Sequence, residues 1–319
     1  MKKSLLLTLL ATCFILASVP PCFAADEYIF IVRTRGNPYW NLLADGIRDA
    51  AKELKVNAVV YQSETETASE EQLNTCYTAI ERAPKLIAVA ATNIDTGIQC
   101  LRKAAEKGIQ VAELDSSIPI DRAEKAGVHL AFSIGSDNFS VGERAAELAA
   151  KILPATGAKI LVLEGAAATP QSIKRVGGFV KRLAELSPQA KIVASLPADW
   201  DRMKALSVVT NILQREPELT MIYTANDMMA LGAAEALKIA GKTGKISIIG
   251  VDGVADARKA VLEGKLTATV AQLPYYIGHR AVELAVKADA KTVREDTPTP
   301  VLTREMLEKN TDPILKYVR

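Results

Sequence analysis

The sequence predicts an α/β protein of two lobes, each a parallel sheet with helices on both faces. Three observations carry that expectation. Short apolar runs alternate with helical patterns along nearly the whole chain, as parallel sheets with crossover helices require. Runs such as Ile160–Leu163 and Ile246–Val251 are apolar at almost every position, as strands covered on both faces should be. The alternation also restarts near Gly135-Ser136-Asp137, which divides the chain into two similar halves without a Ser/Gly-rich linker.

The first half opens with strand Tyr28–Arg33 and helix Trp40–Leu54, where Leu43, Ile47, Ala50 and Leu54 recur on one face at helical spacing. Strand Val56–Tyr61, helix Ser69–Arg82, strand Leu86–Ala90 and helix Ile94–Lys107 follow; Gly108 stops that helix, and Gln110–Leu114 is the next strand. The second series runs through strand His129–Ser133, helix Asn138–Leu153, strand Lys159–Leu163, helix Pro170–Leu186, strand Lys191–Leu196 and helix Arg202–Arg215. Strand Met221–Thr224, helix Met228–Ala240, strand Ser247–Val251, helix Ala255–Glu263, strand Thr267–Ala271 and helix Tyr276–Ala288 close it. Thr297-Pro298-Thr299-Pro300 reads as extended, with one more short apolar stretch after it.

The first residues stand apart. Lys2 and Lys3, the apolar run Leu5–Val19 and the small residues around Cys22-Phe23-Ala24 read as a secretory signal, cut after Ala24, so residues 1–24 leave and the rest is periplasmic. Leu10-Ala11-Thr12-Cys13 is a poor lipobox. The remaining chain of about 295 residues is long enough for two cores. Lys and Arg number 39 against 37 Asp and Glu, and Lys2 and Lys3 make up the difference. The exported chain therefore has no net basic character, and nucleic acid is not an expected partner. Of four cysteines, Cys76 and Cys100 remain, on helices that follow consecutive strands. In an oxidising compartment they are either joined as a disulfide or buried as two thiols.

Catalytic and cofactor motifs are missing. Gly241-Lys242-Thr243 ends a helix and has Ala236 where a phosphate loop needs glycine. His129 and His279 are the two histidines, and both read as structural. Neither a zinc spacing nor a calcium loop is present. No cofactor and no catalysis are expected. Chemistry gathers instead where predicted strands end, the ligand-binding edge of an open parallel sheet. Ala198-Asp199-Trp200-Asp201-Arg202, Asn226-Asp227-Met228-Met229-Ala230-Leu231-Gly232, Gly250-Val251-Asp252-Gly253 and Ala271-Gln272 offer an indole face, carboxylates and amides. That set suits a neutral polyol.

With those segments and Asn37-Pro38-Tyr39-Trp40, Ser136-Asp137-Asn138 and Gly264–Gln272 followed by Pro274 and Gly278, the chain resembles the periplasmic sugar-binding proteins of ABC importers. The likeness lies in the ribose/allose/galactose branch, to its allose-type members first and its ribose-type members second. The resemblance implies a type I periplasmic-binding fold: two Rossmann-like lobes with parallel sheets joined by a multi-strand hinge. The lobes would be residues 25–135 plus 273–300 and residues 136–272 plus 301–319. It further implies a monomeric receptor that closes on a monosaccharide, delivers it to an ABC permease and can present its closed form to a chemotaxis or sensor receptor.

Carried over residue by residue, the resemblance puts Arg33, Asn37, Tyr39, Trp40 and Asp115 in the first lobe's wall. Arg175, Trp200, Asn226 and Asp252 line the second, and Gln272 lies at the last crossing between lobes. Tyr39, Trp40 and Trp200 can stack on the sugar's C–H faces. Arg175 can fork onto adjacent hydroxyls, Asp115 and Asp252 can accept hydroxyl protons, and Asn226 and Gln272 can do both. Each has a plainer reading: Trp40 and Trp200 as core, Asp252 as the cap of the helix near Ala255, Arg175 and Arg33 as solvated charges. Arg33 stands where ribose- and allose-type members carry a small residue and a Lys, and Ser116-Ser117 follow Asp115 where the ribose type has an Arg. The substrate class is expected to be kept and the exact sugar to differ, a hexopyranose for instance. Other readings are a sensor for a cyclitol or a quorum-signalling furanoid, an exported α/β enzyme, and a transcriptional regulator core, whose DNA-binding helices the N-terminal signal replaces.

Overall fold

The structure, a computed structural model, describes residues 26–154, 156–167, 169–288, 293–309, 311 and 313–318. The predicted secretory signal lies outside the described residues. Two six-stranded sheets form. The first holds β1 (Glu27–Val32), β2 (Asn57–Gln62), β3 (Leu86–Val89), β4 (Gln110–Leu114), β5 (Phe132–Gly135) and β11 (Val293–Asp296) in the order β11-β5-β4-β3-β1-β2, all parallel. The second holds β6 (Lys159–Glu164), β7 (Lys191–Pro197), β8 (Met221–Thr224), β9 (Ser247–Asp252), β10 (Ala268–Ala271) and β12 (Val301–Thr303) in the order β12-β10-β9-β8-β6-β7. Only β12 is antiparallel to its neighbour.

Helices α1 (Pro38–Leu54), α2 (Ser69–Ile80), α3 (Ile94–Glu106), α4 (Ile120–Lys125) and α10 (Pro274–Lys287) belong with the first sheet's segments. Helices α5 (Asn138–Ile152), α6 (Pro170–Leu186), α7 (Arg202–Arg215), α8 (Asp227–Ile239), α9 (Ala255–Leu262) and α11 (Arg304–Lys309) belong with the second's. A 3-10 turn, Pro313–Tyr317, comes last. In both sheets the order reverses about the first strand, β1 or β6, which leaves a crevice at the strands' carboxyl ends. The chain passes between the sheets after Gly135, after Ala271 and between Asp296 and Val301. Ser136 Oγ and Thr297 Oγ1, 3.1 Å apart, tie two of these passages together.

The central strands are buried along nearly their whole length because helices cover both faces. Leu54 departs from its predicted role: it is the last residue of α1 and 43 % exposed. The strand expected at His129–Ser133 forms at Phe132–Gly135 and joins the first sheet, not the second series. Val128 and Leu130 are apolar because they fill the core beneath α2 and α3, and ladder pairing to β4 starts only at Ser133. Cys76 on α2 and Cys100 on α3 sit in the same core and are joined as a disulfide, with Cα atoms 5.9 Å apart.

One helix crossing bears directly on the crevice. Helix α6 lies so close to α5 that a Cβ on Gly142 would stand 2.1 Å from the main-chain oxygen of Arg175. A Cβ on Gly178 would stand 2.1 Å from that of Phe139. Glycine at both positions lets the backbones meet, and this sets the N-terminal half of α6 over the carboxyl edge of the second sheet.

Candidate functional site between the two sheets

All ten residues expected at the site line one cavity between the two sheets. Its cavity volume is about 30 Å³, and Glu66 and Gln171 complete its wall. That is well below the ~300–1,000 Å³ typical of ligand pockets, so the walls stand close together and must part to take in a ring.

The first sheet's contribution begins where β1 ends. Asn37 caps α1, its Oδ1 accepting from Tyr39 N at 3.0 Å, and Pro38 occupies the first helical position, where its missing N–H costs nothing. This fixes Tyr39 and Trp40 in the first turn, both buried. Glu66, on the segment after β2, accepts from Asn37 Nδ2 at 2.7 Å and from Trp40 Nε1 at 3.0 Å. Arg33 is buried rather than exposed: Nε and Nη2 donate to Ala91 O at 3.1 and 2.5 Å, and the guanidinium lies 5.2 Å from the Trp40 ring centre. Asp115 follows β4 with φ 64°, and its carboxylate accepts from the Tyr39 hydroxyl. Burial raises its pKa, opposed by the Tyr39 bond and by Arg175 and Arg33. Burial and then the Asp115 charge raise that of Tyr39 well above the usual phenol value, so the hydroxyl keeps its proton and donates.

The second sheet answers with Trp200, Asn226, Asp252 and Arg175. Asp199 and Trp200 take φ of 52° and 66° in succession, a left-handed pair that turns the indole inward before Asp201 caps α7. The ring has room because residue 165 is glycine: a Cβ there would come within 2.1 Å of the indole carbons Cζ2 and Cη2. Asn226 caps α8, accepting from Met229 N at 2.9 Å. Arg175 reaches the cavity from α6; its Nε donates to Asn138 Oδ1 at 2.7 Å and its Nη1 to Ala225 O at 2.7 Å. Nη1 also lies 3.5 Å from Asp252 Oδ1, and the guanidinium sits 5.6 Å from the Trp200 ring centre. Gln272, after β10, donates from Nε2 to Asp252 Oδ1 at 2.6 Å. Burial lifts the Asp252 pKa well above the usual carboxylate range, against the pull of Arg175.

The plainer readings separate here. Trp40 and Trp200 are core and cavity wall at once. Arg175 is 4 % exposed, so it is no solvated charge. Asp252 does not cap the following helix: Val254 holds the cap position, with no side-chain bond. That end is met instead by Asp227, whose Oδ2 accepts from Gly253 N at 2.7 Å and Val254 N at 3.0 Å while Oδ1 accepts from Thr269 Oγ1 at 2.7 Å. Glu113 does the same in the first sheet: Oε1 accepts from Ser117 N at 2.5 Å and Oε2 from Ser133 Oγ at 2.5 Å. One buried carboxylate per sheet thus pins the turn that presents Asp115 or Asp252. Burial pushes Glu113 up to about 7.

The cavity is built with open valences. Among the described residues, four buried side-chain polar atoms lack a protein partner: Gln110 Oε1, and three that belong to cavity residues, Trp200 Nε1, Gln171 Oε1 and Gln272 Oε1. Buried polar groups are normally paired, because leaving one unmet costs roughly 1–3 kcal/mol. An indole donor and two amide acceptors around one small space call for a molecule that both accepts and donates hydrogen bonds there. His279, by contrast, lies outside the cavity, its Nε2 2.9 Å from Glu53. No three His, Cys, Asp or Glu side chains among the described residues cluster as a metal site.

Comparison with known proteins agrees with this architecture. Residues 28–292 match the family model described as the periplasmic binding protein domain. The chain is 40 % identical over 267 residues to the D-allose-binding periplasmic protein of Escherichia coli (strain K12), covering 84 % of this chain and 86 % of that protein. It is 36 % identical over 288 residues to the ribose import binding protein RbsB of the same organism, covering 90 % and 92 %. A solved ABC transporter periplasmic solute-binding protein from Actinobacillus succinogenes, with bound D-allose, superposes with a TM-score of 0.83 at 30 % identity, covering 89 % of this chain and 99 % of that one. An Agrobacterium vitis solute-binding protein with bound D-fucose gives 0.82 at 30 % identity, covering 91 % and 99 %.

Proposed function

The chain belongs to the periplasmic binding protein family, and on that premise we propose that it is the sugar receptor of an ABC importer. It captures a monosaccharide, allose- or ribose-like and most simply a hexopyranose, between two closing lobes and hands it to the membrane permease. The lobes are residues 25–135 with 273–300 and residues 136–272 with 301–319, and the three passages between sheets are the hinge. The protein acts as an exported periplasmic monomer whose residues 1–24 are removed as a signal, and its closed form can also engage a sensor or chemotaxis receptor. It performs no reaction on the sugar.

The observation that carries this reading is the set of open valences in the cavity. Trp200 Nε1, Gln171 Oε1 and Gln272 Oε1 are buried and unpaired around one small cavity between the sheets. Sugar hydroxyls satisfy donors and acceptors alike, and a pyranose ring presents apolar C–H faces to Tyr39, Trp40 and Trp200. Asp115 and Asp252 accept in charge-assisted bonds, Arg175 donates, and Asn226 offers its amide. Arg33, with Nη1 outside the bonds to Ala91 O, is the donor that sets this chain's sugar apart from ribose.

Trp40 and Trp200 are the two tryptophans and both line the cavity. Titrating ligand-stripped mature protein with D-allose, D-ribose, D-galactose, D-glucose and myo-inositol while following tryptophan emission tests the reading. A saturable change with one hexose at micromolar concentration is expected. Saturation by myo-inositol alone would favour the cyclitol sensor, and no response from folded protein would remove the sugar reading.

A further inference from the structure

Gln171 stands on the second turn-forming position of α6, directly after Pro170, and four residues before Arg175. Residues four apart on a helix share a face, so both side chains leave α6 toward the cavity. Gln171 is 2 % exposed and lines the cavity wall. Its Nε2 donates to the main-chain oxygen of Asp115 at 3.4 Å. Asp115 follows β4 of the first sheet, whereas α6 packs with the second. The bond therefore spans the crevice. Its Oε1 has no partner among the described residues. The amide's orientation follows from chemistry: a carbonyl oxygen can face only the NH₂ end, so the oxygen end is left for the cavity.

Resting on the sugar-receptor reading, we propose that Gln171 is a specificity-determining residue that couples ligand recognition to lobe closure. One planar amide does both jobs. A sugar hydroxyl donates to Oε1, and Nε2 donates to Asp115 O on the opposite lobe. Hydrogen bonds in series polarise one another, so filling Oε1 strengthens the bond across the crevice. The two lobes then read the same hydroxyl from opposite sides: Asp115 holds the ring through its carboxylate, and Gln171 holds both the ring and the Asp115 main chain. A sugar lacking that hydroxyl leaves a buried acceptor unmet and the closed state less favoured, which is discrimination by an unpaired group.

The test pairs protein and ligand changes. Wild type, Gln171→Met and Gln171→Ala are titrated calorimetrically with D-allose and with its monodeoxy analogues, and dissociation is followed by stopped-flow tryptophan emission. Should another hexose bind better, its own monodeoxy series is used. Methionine keeps the volume and removes both polar ends; alanine guards against a packing artefact, and thermal unfolding reports whether each variant folds. Wild type is expected to lose affinity 10- to 100-fold for one monodeoxy sugar. Gln171→Met should lose a similar factor for the parent sugar, mostly through faster dissociation, and should no longer penalise that one analogue. Variants that bind the parent sugar like wild type, or that keep the full deoxy penalty, overturn the inference while leaving the receptor reading intact. Wild type that binds no sugar overturns the receptor reading and the inference with it.

Discussion

Glu113 provides the sharpest energetic prediction. It is fully buried at the end of β4, and burial pushes its pKa up to about 7 from the ordinary 4.5, against hydrogen bonds from Ser133 and Ser117. A carboxyl whose folded pKa is raised binds its proton more tightly when folded. Its stabilising contribution is therefore present below pH 4.5 and lost as pH rises through about 7. The gap corresponds to about 3 kcal/mol at ~1.4 kcal/mol per pKa unit. Gln is near-isosteric with the protonated acid and does not titrate. Glu113→Gln should therefore match wild type near pH 4 and be the more stable by about 3 kcal/mol at pH 8, or on the order of 6–12 °C in the midpoint of a lobe-sized unit. Urea and thermal unfolding of both proteins from pH 4 to 8.5 measure this. Parallel pH profiles, with a constant offset between the two proteins, would refute the reasoning. Sugar affinity in the variant should hold, since the amide oxygen can still accept from Ser117 N and keep the Asp115 turn in place.

Three further substitutions test the site and its supports. Arg175→Met removes the cation beside Asp252, 5 % exposed, together with the bonds to Asn138 Oδ1 and Ala225 O; the carboxyl then holds its proton, and a loss of roughly 1–3 kcal/mol in unfolding free energy is expected, with sugar binding below detection by calorimetry. Gly165→Ala puts a methyl 2.1 Å from the indole of Trp200; the ring must leave the cavity, so affinity should fall at least tenfold and tryptophan emission should shift to the red. Replacing Cys76 and Cys100 together by Ala opens a link spanning 24 residues and should cost roughly 3–4 kcal/mol, read by denaturant unfolding, while sugar affinity stays as in wild type.

The sequence was most legible where strands meet loops. Trp200, Asn226, Asp252 and Gln272 stand out because apolar runs end beside them, and the sheet geometry then brings those ends together, whereas Arg33, Asn37, Tyr39, Trp40, Asp115 and Arg175 come from the resemblance to sugar-binding proteins. Glu66 was missed because Glu64-Thr65-Glu66-Thr67 reads as a solvated loop, with no periodicity to set one acid apart. Gln171 was missed for a related reason, since an amide near a helix start is normally wet; its spacing of four from Arg175 was the available signal. Glu113 left a clearer trace, a carboxylate inside the otherwise apolar Val111-Ala112-Glu113-Leu114. The positive φ of Asp115, Trp200 and Asp252 could not be read at all, because none is glycine and the surrounding contacts impose the conformation. Strand β11, Val-Arg-Glu-Asp, was missed because an edge strand carries charge rather than an apolar pattern. Helix α4 is six residues long, too short for periodicity to show.

Isothermal titration calorimetry of ligand-stripped mature protein with D-allose, D-ribose and D-galactose, run at several temperatures beside Arg175→Met, tests the central claim most directly. One sugar per chain, a negative heat-capacity change from burial against Tyr39, Trp40 and Trp200, and loss of the signal in the variant are expected. Folded wild type that takes up none of the three sugars, or takes one up equally well without Arg175, would contradict a monosaccharide site between the lobes.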